Sequence, residues 1–356
     1  MTLNRLILCM AFVGLLSGWA QAQSTKSASA ALYLERGNQW LIKGEVERAI
    51  EDYSFALSFD PTLDHAYYNR GLARQQNGDY EGAMSDYSQA LRLNARYIDA
   101  YLNRGMLFIK QSKFEAGLRD FDQAITVNPR EAKAWLNRGI LYQQLGKFDA
   151  ALADFTESLR LDARNADVWV CRSSVYLSGH ELNAALNDLN RALKLNPRHA
   201  DAYSNRGNVW FEKGELAKAL ADFNQALAFD PQRAIFLSNR GRIWLVNGDL
   251  ERALADIEHA LKLDPAIAEA WMNRGIVKVS RGDFAKAIAD YTQALKLNPQ
   301  LVNAYRNRGI TYLMLDKLKE AEADLARYRE LGGRLPPETE QLLREVQQRH
   351  GSNPKQ

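Results

Sequence analysis

The chain has 356 residues, 25% charged and 46% hydrophobic, with 46 Lys and Arg against 43 Asp and Glu. A formal net charge of +3, with no long Lys/Arg run, excludes an electrostatic footprint for nucleic acid. Two cysteines and five histidines exclude a disulfide scaffold and a Cys-rich zinc module.

The first element, 1–22, reads as a secretory signal peptide. Arg5 supplies the positive region, Leu6 to Trp19 the apolar stretch, and Ala20-Gln21-Ala22 the small-x-small cleavage pattern. The apolar stretch is interrupted by Gly14, Ser17 and Gly18 and is shorter than the roughly 20 residues that a membrane span needs. Cleavage after Ala22 leaves a chain with one cysteine, Cys171, and no membrane span. It also implies an exported protein: periplasmic in a bacterium, otherwise in the secretory pathway or outside the cell. Residues 23–29 read as a short linker.

From residue 30 the chain repeats itself every 34 residues. Asn-Arg-Gly begins at Asn69, Asn103, Asn137, Asn205, Asn239, Asn273 and Asn307; Cys171-Arg172-Ser173 and Glu35-Arg36-Gly37 fill the remaining registers. Nine units follow without insertion: 30–63, 64–97, 98–131, 132–165, 166–199, 200–233, 234–267, 268–301 and 302–335. Each contains two helical patterns. In the second unit, Tyr67 to Arg74 belong to the first helix and Asn77-Gly78-Asp79 to the break, where glycine takes a left-handed conformation without a Cβ penalty. Tyr80, Ala83, Met84, Tyr87, Ala90 and Leu91 then mark the buried face of the second helix. Asp/Asn-Pro pairs such as Asp60-Pro61 and Asn128-Pro129 end most second helices, because proline cannot continue them. A 34-residue hairpin cannot bury its apolar face alone; stacking on its neighbours is what makes it stable. Beyond 335, Gly332-Gly333 and Pro336-Pro337 precede a helical pattern at 336–350 with Leu342, Leu343 and Val346 on one face, read as a capping helix. Residues 351–356 read as a fraying tail.

These units resemble the tetratricopeptide (TPR) repeat. The fourth carries Trp135, Gly139, Tyr142, Ala151 and Phe155 at the family's spacing, and the eighth carries Trp271, Gly275, Ala287, Tyr291, Ala294 and Pro299. All nine units depart from the family in placing Arg, not Leu, just before the Gly register. The resemblance implies an all-α fold, a right-handed superhelical solenoid of antiparallel helix pairs. Its first helices line a concave groove that takes up peptide segments of other proteins.

Two periodic features need weighing. Aromatics recur at Tyr33, Tyr67, Tyr101, Trp135, Trp169, Tyr203, Trp271 and Tyr305, and are expected to fill space between helix pairs against Ala49, Ala83, Ala151 and Ala185 rather than to stack a ligand. The nine arginines (Arg36 to Arg308) are each followed 16 residues later by an aspartate (Asp52 to Asp324). The hairpin brings those positions level, so a partly buried Arg–Asp ladder is expected.

For binding, the resemblance turns Asn69, Asn103, Asn137, Asn205, Asn239, Asn273 and Asn307 towards the groove. A carboxamide there offers a donor and an acceptor to a peptide backbone. Tyr68, Leu72, Leu102, Met106, Leu136, Ile140, Met272, Ile276 and Ile310 are the candidate pocket walls. One TPR type clamps a C-terminal carboxylate with lysines and asparagines. Asn38 and Asn69 fit that pattern, but Leu34, Leu102 and Met106 stand where it needs cations, so this clamp is not expected. The fifth unit departs most, with Cys171, Ser173 and an altered break at His180-Glu181; Cys171 reads as a small apolar filler. No GxSxG, HExxH, P-loop or GxGxxG pattern occurs, and no cofactor, metal or catalytic residue is expected. The sequence therefore reads as a non-catalytic protein-binding scaffold, the alternative being a self-associating envelope-assembly component.

Overall fold

The 34-residue period becomes paired helices in the computed structural model, which describes residues 26–351. Helix α1 covers 26–42. The others are α2 Val46–Phe59, α3 Asp64–Gln76, α4 Tyr80–Leu93, α5 Ile98–Lys110, α6 Phe114–Val127, α7 Ala132–Gln144, α8 Phe148–Leu161, α9 Ala166–Ser178 and α10 Leu182–Leu195. They continue as α11 Ala200–Glu212, α12 Leu216–Phe229, α13 Ala234–Val246, α14 Leu250–Leu263, α15 Ala268–Ser280, α16 Phe284–Leu297, α17 Val302–Met314, α18 Leu318–Glu330 and α19 Pro337–Gly351. Odd-numbered helices up to α17 open a repeat and even-numbered ones close it. No strand occurs among the described residues. The signal-peptide reading lies outside the described residues, as do 352–356. Residues 26–29, expected as linker, are already helical: Ala28, Ala30 and Ala31 favour the helix, and Ala30 is buried.

Each break has one backbone solution. At Gly78 (φ +82°) the Gly78 N–H donates to Gln75 O and the Asp79 N–H to Arg74 O, the paired bonds of a Schellman motif. Three repeats keep this geometry without glycine: Ser112, His180 and Asp316 adopt φ of 58°, 57° and 59°. The altered break of the fifth repeat is thus a change of residue and not of shape. His180 N–H donates to Leu177 O and Glu181 N–H to Tyr176 O, as at Gly78. The turn after each second helix is similarly robust. Asn94 and Asp162 lack the following proline, yet their Oδ1 atoms accept from the Arg96 and Arg164 N–H groups in the same Asx turn that Asn128 and Asn196 form before their prolines.

Helices of 13 or 14 residues are marginal alone and depend on packing. Eight of the largest fully buried side chains share one register on the second helices: Tyr53, Tyr87, Phe121, Phe155, Leu189, Phe223, Ile257 and Tyr291. Each lies 16 residues after the glycine register. A Cβ on Gly71 would stand 2.7 Å from the Tyr87 ring, so the first helix carries glycine where the ring presses against its backbone. In the fifth repeat Ser173 replaces that glycine and the smaller Leu189 replaces the ring.

The first-helix aromatics depart from expectation. Tyr67 and Tyr101 are half-buried and pack around Ala90, Leu91 and Ala100; Ala83 instead packs with Tyr87, Leu107 and Tyr68. The ring faces the alanine late in the second helix, and its open face is taken by an arginine.

The chain divides into two compact units, 1–168 and 169–356. In the first, α1 to α8 form four helix pairs. In the second, α11 to α18 form four helix pairs and α19 closes the end, burying Leu343 and Val346 against Leu313, Ala321 and Leu325. No helix among the described residues is long and apolar enough to cross a membrane.

Candidate functional site

The first-helix face is held in place by arginine. All nine Arg–Asp pairs form within their own repeat, and all are bidentate. Nε and Nη2 donate to the two carboxylate oxygens at 2.6 Å in Arg36–Asp52, 2.8 and 2.7 Å in Arg104–Asp120, and 2.7 and 2.8 Å in Arg308–Asp324. The aspartates are buried throughout. The Asp154 carboxylate, followed by Asp122, raises the Arg138 pKa above its ordinary value against the cost of desolvation.

A second rung has no counterpart in the sequence reading. Nη1 of Arg70, Arg104, Arg138, Arg206, Arg240 and Arg308 reaches back 16 residues to the preceding repeat. It donates to Ser54, Ser88, Asp122, Asn190, Asn224 and Thr292 respectively, at 2.6–3.0 Å. Each of these arginines therefore ties two second helices to one first helix. In every repeat but the seventh, where Leu237 precedes Arg240, an aromatic three residues upstream lies against the ladder guanidinium, with Trp135 at 4.9 Å from Arg138 and Trp271 at 4.6 Å from Arg274. In the second and eighth repeats Arg74 and Lys278 replace the next aromatic and add a further cation to Asp86 and Asp290.

The asparagines sit one residue before these arginines. Asn69, Asn103, Asn137, Asn205, Asn239 and Asn307 are half-buried, while Asn273 is buried at 3% exposure. Two of them bridge neighbouring first helices: Asn69 Nδ2 donates to Asn38 Oδ1 at 2.9 Å, and Asn103 Nδ2 to the Tyr68 hydroxyl at 2.9 Å. Among the apolar candidates, Met106 (44%) and Ile140 (38%) are exposed. Tyr68, Leu72, Leu136, Met272, Ile276 and Ile310 are half-buried. Leu102 is 6% exposed and belongs to the core around Phe121, Ala124 and Leu141, so it is not a surface wall. Tyr68 packs on Tyr97 with ring centroids 4.7 Å apart, and burial pushes its pKa up to about 12.

In the second unit, first helices line a half-open cavity of about 500 Å³. Leu177 and Ser178 come from α9, Asn208 and Glu212 from α11, Ile235, Ser238, Asn239 and Arg242 from α13, and Glu269, Met272 and Asn273 from α15; His180 closes one side. The structure thus brings Asn239, Met272 and Asn273 together and adds polar residues the sequence reading passed over. Arg242 and Asn208 occupy the register one past the glycine, where other repeats carry Leu72, Met106, Ile140, Ile276 and Ile310. In the first unit a smaller cavity of about 370 Å³ involves Met106, Gln75, Tyr80, Leu107, Ile109 and Lys110, with Lys110 Nζ 3.6 Å above the Tyr80 ring. Among the described residues no group of three or more His, Cys, Asp or Glu is arranged to hold a metal ion.

Three family models described as tetratricopeptide or TPR repeat match the chain, over 104–175 and 241–302, over 172–234 and 274–336, and over 37–78 and 74–112. Among solved structures, a tetratricopeptide repeat protein from Parabacteroides merdae is 23% identical, with a TM-score of 0.57 over 67% of this chain and 94% of that one. A chain of the APC/C hetero-tetramer Cut9–Hcn1 is 16% identical with a TM-score of 0.64, covering 89% of this chain and 76% of that one. PilF of Pseudomonas aeruginosa is 20% identical with a TM-score of 0.52, covering 58% and 94%. At these identities the likeness concerns the fold. No curated protein matches the sequence.

Proposed function

The chain belongs to the tetratricopeptide repeat family, and on that premise we propose that it is a non-catalytic scaffold that holds an extended segment of another protein against its first helices. The observation that carries this reading is the cavity of the second unit. Side chains from four successive first helices converge there, including Asn239, Asn273 and Met272. The mechanism is preorganisation: the arginine ladder fixes the helices beforehand, so the incoming segment alone loses conformational freedom.

Asparagines cannot carry the affinity unaided. A neutral hydrogen bond contributes about 0.5–1.5 kcal/mol net, while ordering a peptide residue costs about 1–2 kcal/mol. Backbone bonds to asparagine therefore roughly offset the ordering of the segment. Affinity then comes from apolar burial on Met106, Leu136, Ile140, Met272, Ile276 and Ile310, and selectivity from the polar residues between them. Independently of the binding reading, we propose from Arg5, the apolar stretch Leu6 to Trp19 and Ala20-Gln21-Ala22 that the protein is exported and released from its signal after Ala22. The second reading, self-association in envelope assembly, is separated by native mass.

The test is a peptide-display selection on the full chain, repeated with Asn137→Ala, Asn205→Ala and Asn239→Ala combined. The proposal expects peptides selected on the parent to lose at least about tenfold in affinity on the variant, with the melting temperature retained. Equal affinity on both proteins removes the asparagine reading.

A further inference from the structure

Arg242 stands apart from the nine ladder arginines. In each of those, Nε and Nη2 form a fork that grips an aspartate. Arg242 Nη2 donates to Asn208 Oδ1 at 3.1 Å, and its guanidinium lies 4.3 Å from the centre of the Phe211 ring. Its Nε is buried and has no hydrogen-bond partner. A buried donor without an acceptor costs free energy in the unliganded protein. Arg242 is also the one Lys or Arg among the residues that line the 500 Å³ cavity.

From this geometry we infer that Arg242 is the receptor for an acidic side chain, Asp or Glu, in the middle of a bound segment. The inference rests on the peptide-binding reading above and names the chemistry that segment carries. A small swing of the guanidinium off Phe211 turns the Nε/Nη2 fork into the cavity. There it meets a carboxylate in the bidentate geometry the nine ladder pairs already display. Charge-assisted bonds of this kind are about twice as strong as neutral ones.

The surroundings decide which carboxylate. Glu212 on α11 and Glu269 on α15 are exposed residues of the same cavity, on the two first helices that touch α13. Their charges partly oppose the effect of burial, which lowers the Arg242 pKa. The titratable residue His180 completes the wall. A segment crossing α11, α13 and α15 therefore meets acid, base, acid, and is matched by Lys/Arg, Asp/Glu, Lys/Arg in its own sequence. Cations on both flanks need chain on both sides of the acid. That requirement selects a side chain in mid-segment over a C-terminal carboxylate.

The experiment follows the Arg242 Nε–H resonance of the full-length 15N-labelled chain, assigned by its loss in Arg242→Gln. Three synthetic nonapeptides are titrated. The first is capped at both ends, with a central Asp between two Lys; the second is identical but has a central Asn; the third has the central Asn and a free C-terminal carboxylate. The inference expects saturable movement of that resonance with the Asp peptide and an affinity at least about tenfold above the Asn peptide. The advantage should vanish in Arg242→Gln and be only partly restored in Arg242→Lys, which has charge but no fork. Equal affinities for the Asp and Asn peptides, with amides of α11, α13 and α15 moving in both titrations, overturn the inference and leave the peptide-binding reading standing. Tighter binding of the free-carboxylate peptide overturns the mid-segment assignment. If no peptide moves any of these resonances, the inference falls together with the reading beneath it.

Discussion

At the scale of single residues, the arginine ladder sets the energetics. A buried carboxylate such as Asp120 tolerates its position only because Arg104 neutralises it and occupies both oxygens. Removing one partner leaves the other charge stranded, so Asp120→Ala should cost about 3–5 kcal/mol in urea unfolding. Replacing both partners, Arg104→Met with Asp120→Leu, should recover most of that loss, since packed apolar groups substitute well for a buried pair. A loss under about 1 kcal/mol for the single change would class the pair with ordinary surface bridges. The pairing itself was legible, because a constant separation of 16 across a tight turn leaves little geometric freedom. Its backward rung was not. Ser54, Ser88, Asp122, Asn190, Asn224 and Thr292 share polarity and reach but no identity, so no motif exposes them.

At the scale of elements, the breaks show how much a repeat tolerates. Gly78, Ser112, His180 and Asp316 build the same Schellman turn, so backbone hydrogen bonding dictates the geometry and the residue only adjusts its cost. A non-glycine residue in the left-handed region costs about 1–2 kcal/mol, against about 0.5–1 kcal/mol for glycine's extra chain entropy. Ser112→Gly should therefore stabilise by up to about 1 kcal/mol and Gly78→Ala destabilise by a similar amount. Asp316→Gly also loses the Asp316 carboxylate's pairs with Arg349 and His350 and should gain less than Ser112→Gly. Thermal unfolding reads all three; a stabilised Gly78→Ala would mean that the turn is not held as described. The first-helix aromatics teach a related lesson. Periodicity placed Tyr67 and Trp135 correctly on an inward-facing register, but it carried no information about which alanine they meet or that a guanidinium covers them. That depends on how one hairpin leans on the next.

At the scale of the whole molecule, the period that made the fold legible also hid what is particular to this chain. Nine superposed copies reveal what recurs in the stack: the glycine register, the buried rings, the arginines and the aspartates. They average away single departures such as Arg242 and Asn208, on which the proposed selectivity rests. The start of α1 is hard to read for the opposite reason, since Lys26 to Ser29 precede the first full period and only the helix propensity of Lys26 and Ala28 speaks for them. Stability in such an array is a sum of hairpins and nearest-neighbour interfaces. The first helices can thus vary in their exposed residues as long as the ladder behind them is kept.

The claim on which this account turns is that partners are held by the first helices. Photo-crosslinking in cells tests it most directly, with benzoylphenylalanine placed in turn at Ile140 and Ile235, exposed on first helices, and at Leu263 and Leu297, exposed on second helices. The account predicts adducts with another protein from Ile140 and Ile235 and none from Leu263 and Leu297. Adducts confined to the second-helix positions, or formed only between copies of this chain, would contradict it.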